Sequence, residues 1–195
     1  MPSLPDDGIV VEGEGLMHER VSVIDYLAQP ESLRPSELVY GVVREPPAAR
    51  HGHQMVVTHL GALLDQHVRE HLLGEVCMSP VDVVFDAVKA LVLQPDIVFL
   101  TARNKRLIDG RLWGAPDLVV EVLSPGTARR DRTTKRRWYR EHGVREYWLV
   151  DPHRASVEVL DLAAPRTRRR TFSARARMQS TVLPTWTVTA DRIFE

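Results

Sequence analysis

The sequence predicts a fold of the α/β (α+β) class, in which a mixed central β-sheet is flanked by helices. Short runs rich in valine, isoleucine, leucine and phenylalanine recur along the chain and have the length of buried strands. Two other segments show the three- and four-residue apolar spacing of amphipathic helices. Because helices are interspersed with groups of strands, a sheet with helices on its faces would bury these apolar surfaces.

The composition is that of one globular domain. Residues 1–15 are rich in proline, glycine and acidic residues, and we expect them to be disordered, whereas residues 16–195 are enough for a single core. One cysteine, Cys77, excludes an internal disulfide and a Cys-rich zinc site, so we expect a cytoplasmic protein. No apolar run approaches the roughly 20 residues of a membrane helix and no signal peptide is recognisable, so we expect no membrane partner.

The first elements are a short helix, a hairpin and a long helix. Residues 18–27 are predicted to be helical, and residues 37–44 to form a hairpin around Gly41. Residues 53–73 are predicted to form a helix that stops at Gly74. The apolar stripe of this long helix consists of Val56, Leu60, Leu63, Leu64, Val68 and Leu72.

The later elements are strands separated by one further helix. In chain order we predict a hairpin of residues 81–85 and 90–93, strands over 94–100 and 115–123, a helix over 127–142 with Thr127 as its N-cap and Gly143 at its end, strands over 147–152 and 156–160, and a β-rich tail through Phe172, Val182 and Trp186.

Two of these strands carry carboxylates where the neighbouring side chains are apolar. A carboxylate in such a strand costs several kcal/mol to desolvate unless a cation lies beside it. If the two strands pair antiparallel, Asp96 lies near Glu121, while Asp117 lies about 13 Å from Glu121 at 3.3 Å per residue. Two carboxylates at adjacent strand ends suit a hard cation such as Mg²⁺ or Mn²⁺. Asp96 and Glu121 are therefore the predicted metal ligands.

Hydrolysis of a phosphodiester also favours a cationic group near the attacking water, and Leu123, two residues after Glu121, cannot supply one. Lys135 lies about two turns into the following helix. It shares a helix face with Asp131, which could orient it. The alternative is that Lys135 is a solvated helix lysine.

The basic residues are concentrated in two stretches. Residues 129–140 and 166–177 together hold 13 of the 26 basic residues and 1 of the 26 acidic residues. A polyanion could bind such a surface, although two solvated arginine-rich surfaces would have the same composition. His67 and His71 have helical spacing for a zinc site, but solvent-facing histidines are the favoured interpretation.

These motifs resemble the Uma-type putative restriction endonuclease family of the PD-(D/E)XK nuclease superfamily. The resemblance rests on Pro95-Asp96, on residues 114–125 (GAPDLVVEVLSP), on Asp131 and Lys135, and on residues 143–152 (GVREYWLVDP). It extends upstream to residues 36–41 and His53, and covers most of residues 18–160.

The resemblance implies a restriction-endonuclease-like core, with extra β elements at its two ends, that hydrolyses DNA with Mg²⁺ or Mn²⁺. Asp96 and Glu121 would be catalytic metal ligands. The superfamily pattern is Glu-x-Lys; here Leu123 occupies the lysine position, and the family places the catalytic lysine in the next helix, as Lys135.

Further roles follow by the same resemblance. Glu37 is a candidate auxiliary acid, with a surface glutamate on an edge strand as the alternative, and His53 is a candidate neighbour of the site. Asp117 is a third auxiliary candidate, although a structural role at the strand entry is favoured. DNA is the implied partner and a homodimer is expected by analogy; the alternative function is a catalytically inactive DNA-binding or regulatory module. The predicted nucleic-acid contacts are Arg129, Arg130, Arg132 and Arg136.

Overall fold

The computed structural model describes residues 20–30 and 34–195. The predicted disordered segment, residues 1–15, lies outside the described residues. In chain order the regular elements are α1 (Val23–Leu27), β1 (Glu37–Val39), β2 (Val42–Arg44), α2 (His51–Glu70), β3 (Gly74–Met78), β4 (Val83–Asp86), β5 (Leu91–Leu93), β6 (Ile97–Thr101), β7 (Ile108–Asp109), β8 (Arg111–Trp113), β9 (Leu118–Val122), α3 (Ala128–Arg130), α4 (Arg136–Glu141), β10 (Glu146–Asp151), β11 (Ser156–Asp161) and β12 (Arg168–Ser173).

Three further helical pieces complete the described chain. A π turn over Asp131–Lys135 joins α3 to α4, so that residues 128–141 form one continuous helical segment. Short 3-10 helices lie at Ala102–Leu107 and Ala190–Ile193. No helix among the described residues is long and apolar enough to cross a membrane.

The strands form two mixed sheets. The first has the order β2-β1-β5-β4-β8-β7 and the second β12-β11-β10-β9-β6-β3. In the second sheet β9 and β10 are parallel and the other pairs are antiparallel. The prediction of a mixed sheet flanked by helices is confirmed, with the difference that the hairpins β1–β2 and β4–β5 belong to a separate sheet with β7 and β8.

Strand β9 has a different neighbour on each face. Leu118, Val120 and Val122 pack into a core that includes the buried stripe of α2. Val119 and Leu123 point the other way, into a core shared with strands of the first sheet and with α4. This alternation follows from the two-residue repeat of a strand. Glu121 lies between Val120 and Val122 and therefore points toward the α4 side.

Two predicted boundaries differ from the structure. The long helix ends at Glu70, before the expected stop at Gly74, and Leu72 adopts a positive φ of 53° just after it. Gly74 instead begins β3, where a Cβ atom would lie 1.9 Å from the carbonyl oxygen of Leu100. A glycine is needed there for close approach of two strands rather than to end the helix. The first helix begins at Val23 and not at residue 18. Ser22 is its N-cap, and the Ser22 hydroxyl accepts a hydrogen bond from the Asp25 amide.

The C-terminal tail is less regular than predicted. After β12 the described residues form one 3-10 helix and an isolated bridge between Arg177 and Thr189. Val182 and Trp186 are buried, but in irregular backbone. The buried carboxylate of Glu146 contributes to this difference, because it takes the place of a neighbouring strand as the acceptor for the Thr181 amide and also accepts hydrogen bonds from the Ser180 and Thr181 hydroxyls. The prediction of a β-rich tail is correct only for β12.

Candidate active site

Two strand ends bring Asp96 and Glu121 together. Ile97 of β6 pairs with Val120 of β9 in antiparallel register, so the next position outward sets Asp96 opposite Glu121. The Val122 amide donates a hydrogen bond of 2.7 Å to Asp96 Oδ2 and holds this carboxylate at the end of the ladder. Both acids line a cavity of about 470 Å³. The predicted antiparallel pairing of the two acidic strands is confirmed.

Lys135 reaches the same cavity from the helical segment. Its Nζ lies 2.8 Å from Glu121 Oε1, 2.9 Å from Glu37 Oε1 and 3.9 Å from Asp131 Oδ1. The π turn over Asp131–Lys135 widens the helix at this point, and both of its end residues are buried. Such π turns are frequent at functional sites. The alternative of a solvated lysine is excluded by a side-chain exposure of 7%.

Glu37 lies inside the site rather than on a sheet surface. It is 2% exposed, and its second oxygen, Oε2, lies 2.7 Å from Arg130 Nη1. The guanidinium of Arg130 is also 5.5 Å from the centroid of the Trp138 ring. Glu37 therefore connects Lys135 with Arg130, and a surface glutamate is excluded.

His53 stands beside Asp96 at the cavity wall. Its Nε2 is 3.3 Å from Asp96 Oδ2. Burial lowers the pKa of His53, but the hydrogen bond and the charge of Asp96 outweigh this and raise it above the ordinary value. The other ring nitrogen, Nδ1, is buried without a hydrogen-bond partner among the described residues. His53 is thus placed to orient the Asp96 carboxylate.

Glu121 has a strongly perturbed charge state. Burial raises its pKa to about 8, in spite of the nearby ammonium of Lys135, and the charges of Asp131 and Asp96 act in the same direction. Tyr139 Oη donates to the same oxygen, Oε1, at 2.5 Å. Negative charge is therefore in excess around Glu121, as expected where a cation would bind.

Lys135 and Glu37 both remain ionised. Burial opposes the charge of Lys135, but the surrounding carboxylates outweigh it and raise the lysine pKa. Burial would also raise the pKa of Glu37, yet Lys135 and Arg130 hold it below its ordinary value. The site thus contains a fixed ammonium next to a carboxyl that is easily protonated.

Asp117 does not join this group. It lies at the opposite end of β9, where its Oδ2 accepts hydrogen bonds from the Thr101 amide, the Thr101 hydroxyl and Asn104 Nδ2. Its Oδ1 is 3.1 Å from Arg145 Nη1. The structure gives Asp117 the structural role at the strand entry, because four donors converge on its carboxylate.

The four predicted DNA-contacting arginines are divided between two environments. Arg129 and Arg136 are exposed and form no ion pair with another described residue. Arg130 points inward to Glu37, and Arg132 binds Asp151 and Glu158. A helix that packs on a sheet has an inner and an outer face, and the four residues fall on both.

Two residues of the site were not predicted as site residues. Tyr139 donates to Glu121, and Asp131, expected only to orient Lys135, is buried with a raised pKa whose largest cause is burial. Both lie four residues from Lys135, one on each side. This i,i+4 spacing on one helix face is the signal that could have identified them.

The donor set fits a divalent metal ion. Asp96 and Glu121 offer carboxylate oxygens, which Mg²⁺ and Mn²⁺ prefer. Among the described residues no group of three or more His, Cys, Asp or Glu side chains is arranged to hold an ion. Mg²⁺ is commonly bound through one or two carboxylates plus water and substrate phosphate, so two protein ligands are sufficient.

A second cavity, of about 520 Å³, lies away from these acids. Its walls include Tyr26, Gln94 and Arg111. Among the described residues of its wall one carboxylate is present, that of Asp82, and it binds Arg111 at 3.0 Å and Gln94 at 2.9 Å. The cavity of about 470 Å³ that Asp96 and Glu121 line is therefore the candidate site.

Comparison with known proteins identifies a family and a shared fold. The family model described as Uma2, putative restriction endonuclease, matches residues 23–191. The solved structure of a putative nuclease of the DUF820 family from Anabaena variabilis superposes with a TM-score of 0.74 at 18% sequence identity, and the match covers 89% of this chain and 97% of that chain. No curated protein matches the sequence. The structural likeness shows that the two chains share a fold.

Proposed function

Because the chain belongs to the Uma2 family of putative restriction endonucleases, we propose that it is a metal-dependent endonuclease that hydrolyses phosphodiester bonds in DNA. One observation supports this proposal above the others. Asp96, Glu121 and Lys135 come from two strands and a helix, and all three line one cavity. Two carboxylates and an ammonium at one point suit metal-dependent hydrolysis of a phosphodiester.

The acids would hold Mg²⁺ or Mn²⁺ through Asp96 Oδ1 or Oδ2 and the Glu121 carboxylate. A bound divalent ion would supply Lewis-acid chemistry, lowering the pKa of a water and stabilising charge on the phosphate. The protein's part is to fix the two carboxylates. The Val122 amide and His53 hold Asp96, while Lys135 and Tyr139 hold Glu121.

Lys135 would stabilise the negative charge that develops on the phosphate. Its ammonium is kept charged and in place by Glu37 and Glu121, at 2.9 and 2.8 Å. Glu37 is in turn held by Arg130, so we assign Glu37 a positioning role. A preorganised cation in a largely buried site costs little reorganisation when the charge develops.

The exposed arginines beside the cavity would bind the DNA backbone. Arg129 and Arg136 are exposed on the helical segment that carries Lys135. Their charges would attract phosphates irrespective of base sequence. We also propose that the protein is a homodimer, by analogy with nucleases that cut both strands and are commonly dimers, and that it is cytoplasmic, as its single cysteine suggests.

Nicking of supercoiled plasmid tests the proposal. Wild-type protein with Mn²⁺ is expected to convert the plasmid to open-circular or linear form, and EDTA is expected to prevent this. Asp96→Ala should be inactive, and Asp117→Ala, which removes an acid outside the cavity, should retain cleavage in its folded fraction. Absence of nicking, or equal nicking by Asp96→Ala, would leave the inactive DNA-binding module as the better interpretation.

A further inference from the structure

A strip of arginines lies outside the cavity, on the helical segment and on the part of the β11–β12 hairpin that this segment contacts. We infer that this strip binds the phosphate backbone of the DNA duplex beyond the reaction cavity. The inference rests on the proposed function and extends it to β12 and the loop before it. The arginine strip is defined as Arg132, Arg136, Arg140, Arg166 and Arg169.

The helical part of the strip runs along the hairpin of β11 and β12. Arg132 binds Glu158 of β11, whereas Arg140 donates to the Pro165 carbonyl at 2.8 Å and to Thr167 Oγ1 at 3.2 Å in the loop before β12. Arg136 lies between them in sequence and is exposed. Arg132 and Arg140 therefore contact the hairpin at β11 and at its loop, respectively.

The strand part of the strip is Arg169. Its partner in the β11–β12 ladder is Leu160, which packs into the core beneath α4, so strand alternation puts Arg169 on the α4 side. Its Nη1 is 3.6 Å from Glu158 Oε2, and its side chain is 66% exposed. Arg132 binds the other oxygen of the same carboxylate. One acid therefore joins two arginines, and the helical and strand parts form one surface.

The strip has more positive charge than its acids compensate. Arg136, Arg140 and Arg166 form no ion pair with another residue in the described part of the chain. Arg140 is held by neutral acceptors, a carbonyl and a hydroxyl, so its charge is oriented but not neutralised. An ordered guanidinium without a carboxylate is suited to a phosphate.

The strip begins at the cavity wall. Arg132 binds Asp151, and the next two residues, Pro152 and His153, line the cavity. Across the sheet, Glu121, Leu149, Glu158 and Thr171 are paired in one row. Three strand spacings place β12 about 14 Å from β9. A duplex at the cavity would reach that edge within about four base pairs, at 3.4 Å per base pair.

A different function could explain the arginines of β12. The strand is at the edge of the sheet, and charged side chains on an edge strand prevent pairing with another chain. Protection of the edge would be the same whichever face of β12 an arginine occupies. Phosphate binding by the strip would depend on the face, because Arg168 and Arg170 alternate to the opposite face from Arg169. Arg170 is also bound to Gln179. The two faces provide a matched comparison.

DNA affinity measured against salt concentration distinguishes these functions. The probe is a fluorescent duplex of about 20 base pairs, or two helical turns, and EDTA prevents cleavage. Wild-type protein is compared with the double variants Arg166→Gln/Arg169→Gln and Arg168→Gln/Arg170→Gln by fluorescence anisotropy between about 50 and 200 mM salt. Both variants lose two charges. Circular dichroism and elution volume check that each is folded and unaggregated.

The strip variant is expected to bind more weakly and to reduce the slope of log K against log salt by about 1.8, or 0.9 for each lost contact. The opposite-face variant should keep the wild-type slope. Equal losses in the two variants, or aggregation of the strip variant without a change in its DNA affinity, would overturn the inference. Binding through the strip without plasmid nicking would overturn the proposed catalysis and leave the strip in place.

Discussion

Lys135 Nζ lies 2.8 Å from Glu121 Oε1, although the two residues are on different elements and 14 positions apart. The ammonium beside Glu121 thus comes from the helical segment and not from position 123, two residues after Glu121. Leu123 occupies that second position, is 5% exposed and packs in the core with Trp138 and Tyr139. The chain therefore supplies the cation from the helix and uses the strand position for packing.

Removing the Lys135 ammonium should take away one of the two cations that bind the buried Glu37 carboxylate, and the cation beside Glu121. We expect Lys135→Met to lower the free energy of unfolding by about 3–5 kcal/mol, the usual cost of breaking a buried ion pair from one side. Glu37→Gln combined with Lys135→Met should cost less than the sum of the single changes by about 0.5–3 kcal/mol. Urea denaturation of the three variants measures this coupling, and additive losses would contradict it.

Metal binding at neutral pH should displace a proton from Glu121. Its pKa is raised to about 8, so the carboxyl is mainly protonated at pH 7, whereas a metal binds the carboxylate. Calorimetric titration with Mn²⁺ in buffers of different ionisation enthalpy should therefore show release of about one proton per ion. Affinity should rise with pH and level off above about 8. Binding heats that are the same in all buffers would count against Glu121 as a ligand.

The adjacent residues Arg129 and Arg130 should affect different properties when each is changed to glutamine. Arg129 is exposed, so Arg129→Gln should reduce the salt slope of DNA binding by about 0.9 with little change in stability. Arg130 is bound to Glu37 and lies over Trp138, so Arg130→Gln should lower stability and leave the slope close to that of wild type. Anisotropy and urea denaturation measure the two properties. A slope change for Arg130→Gln equal to that of Arg129→Gln would refute the assignment.

Asp117 should contribute to stability only where it is ionised. Burial opposes its charge, but the hydrogen bonds from Thr101 and Asn104 outweigh burial and hold its pKa below the ordinary 3.8. A lowered folded-state pKa gives stability that is present above the unfolded value and is lost as the pH falls through the folded one. Asp117→Asn should therefore cost about 1–3 kcal/mol at pH 7.

The cost of Asp117→Asn should shrink as the pH is lowered below 3.8, since wild-type Asp117 then becomes neutral as well. Denaturation curves at several pH values measure the difference. A difference that is independent of pH would show that ionisation of Asp117 is not what stabilises the strand entry.

Most of the strands and the main site pair could be predicted because they depend on local patterns. The register of β6 with β9 follows from two apolar strands whose acids lie at opposite ends, and this places Asp96 opposite Glu121. Helix spacing made Lys135 a candidate, and the family resemblance favoured it over a solvated helix lysine. The pairing of the two acids needs only the two-residue repeat of a strand.

The remainder depends on contacts between distant parts of the chain. The sequence around Arg130 and Arg132 shows positive charge, but not that Glu37 and Glu158 lie opposite these residues. Likewise, nothing near Val182 and Trp186 shows that Glu146 binds Ser180 and Thr181 and keeps that segment out of the sheet. Long-range partners decided both outcomes, and local propensity does not contain them.

Calorimetric titration of Mn²⁺ into wild type, Asp96→Ala, Glu121→Ala and Asp117→Ala is the most direct test of the shared metal site. Wild type and Asp117→Ala should bind one ion with the same heat, because Asp117 lies at the other end of β9. Asp96→Ala and Glu121→Ala should each lose that binding. Mn²⁺ binding by Asp96→Ala or Glu121→Ala with the heat and affinity of wild type would contradict a metal site shared by Asp96 and Glu121.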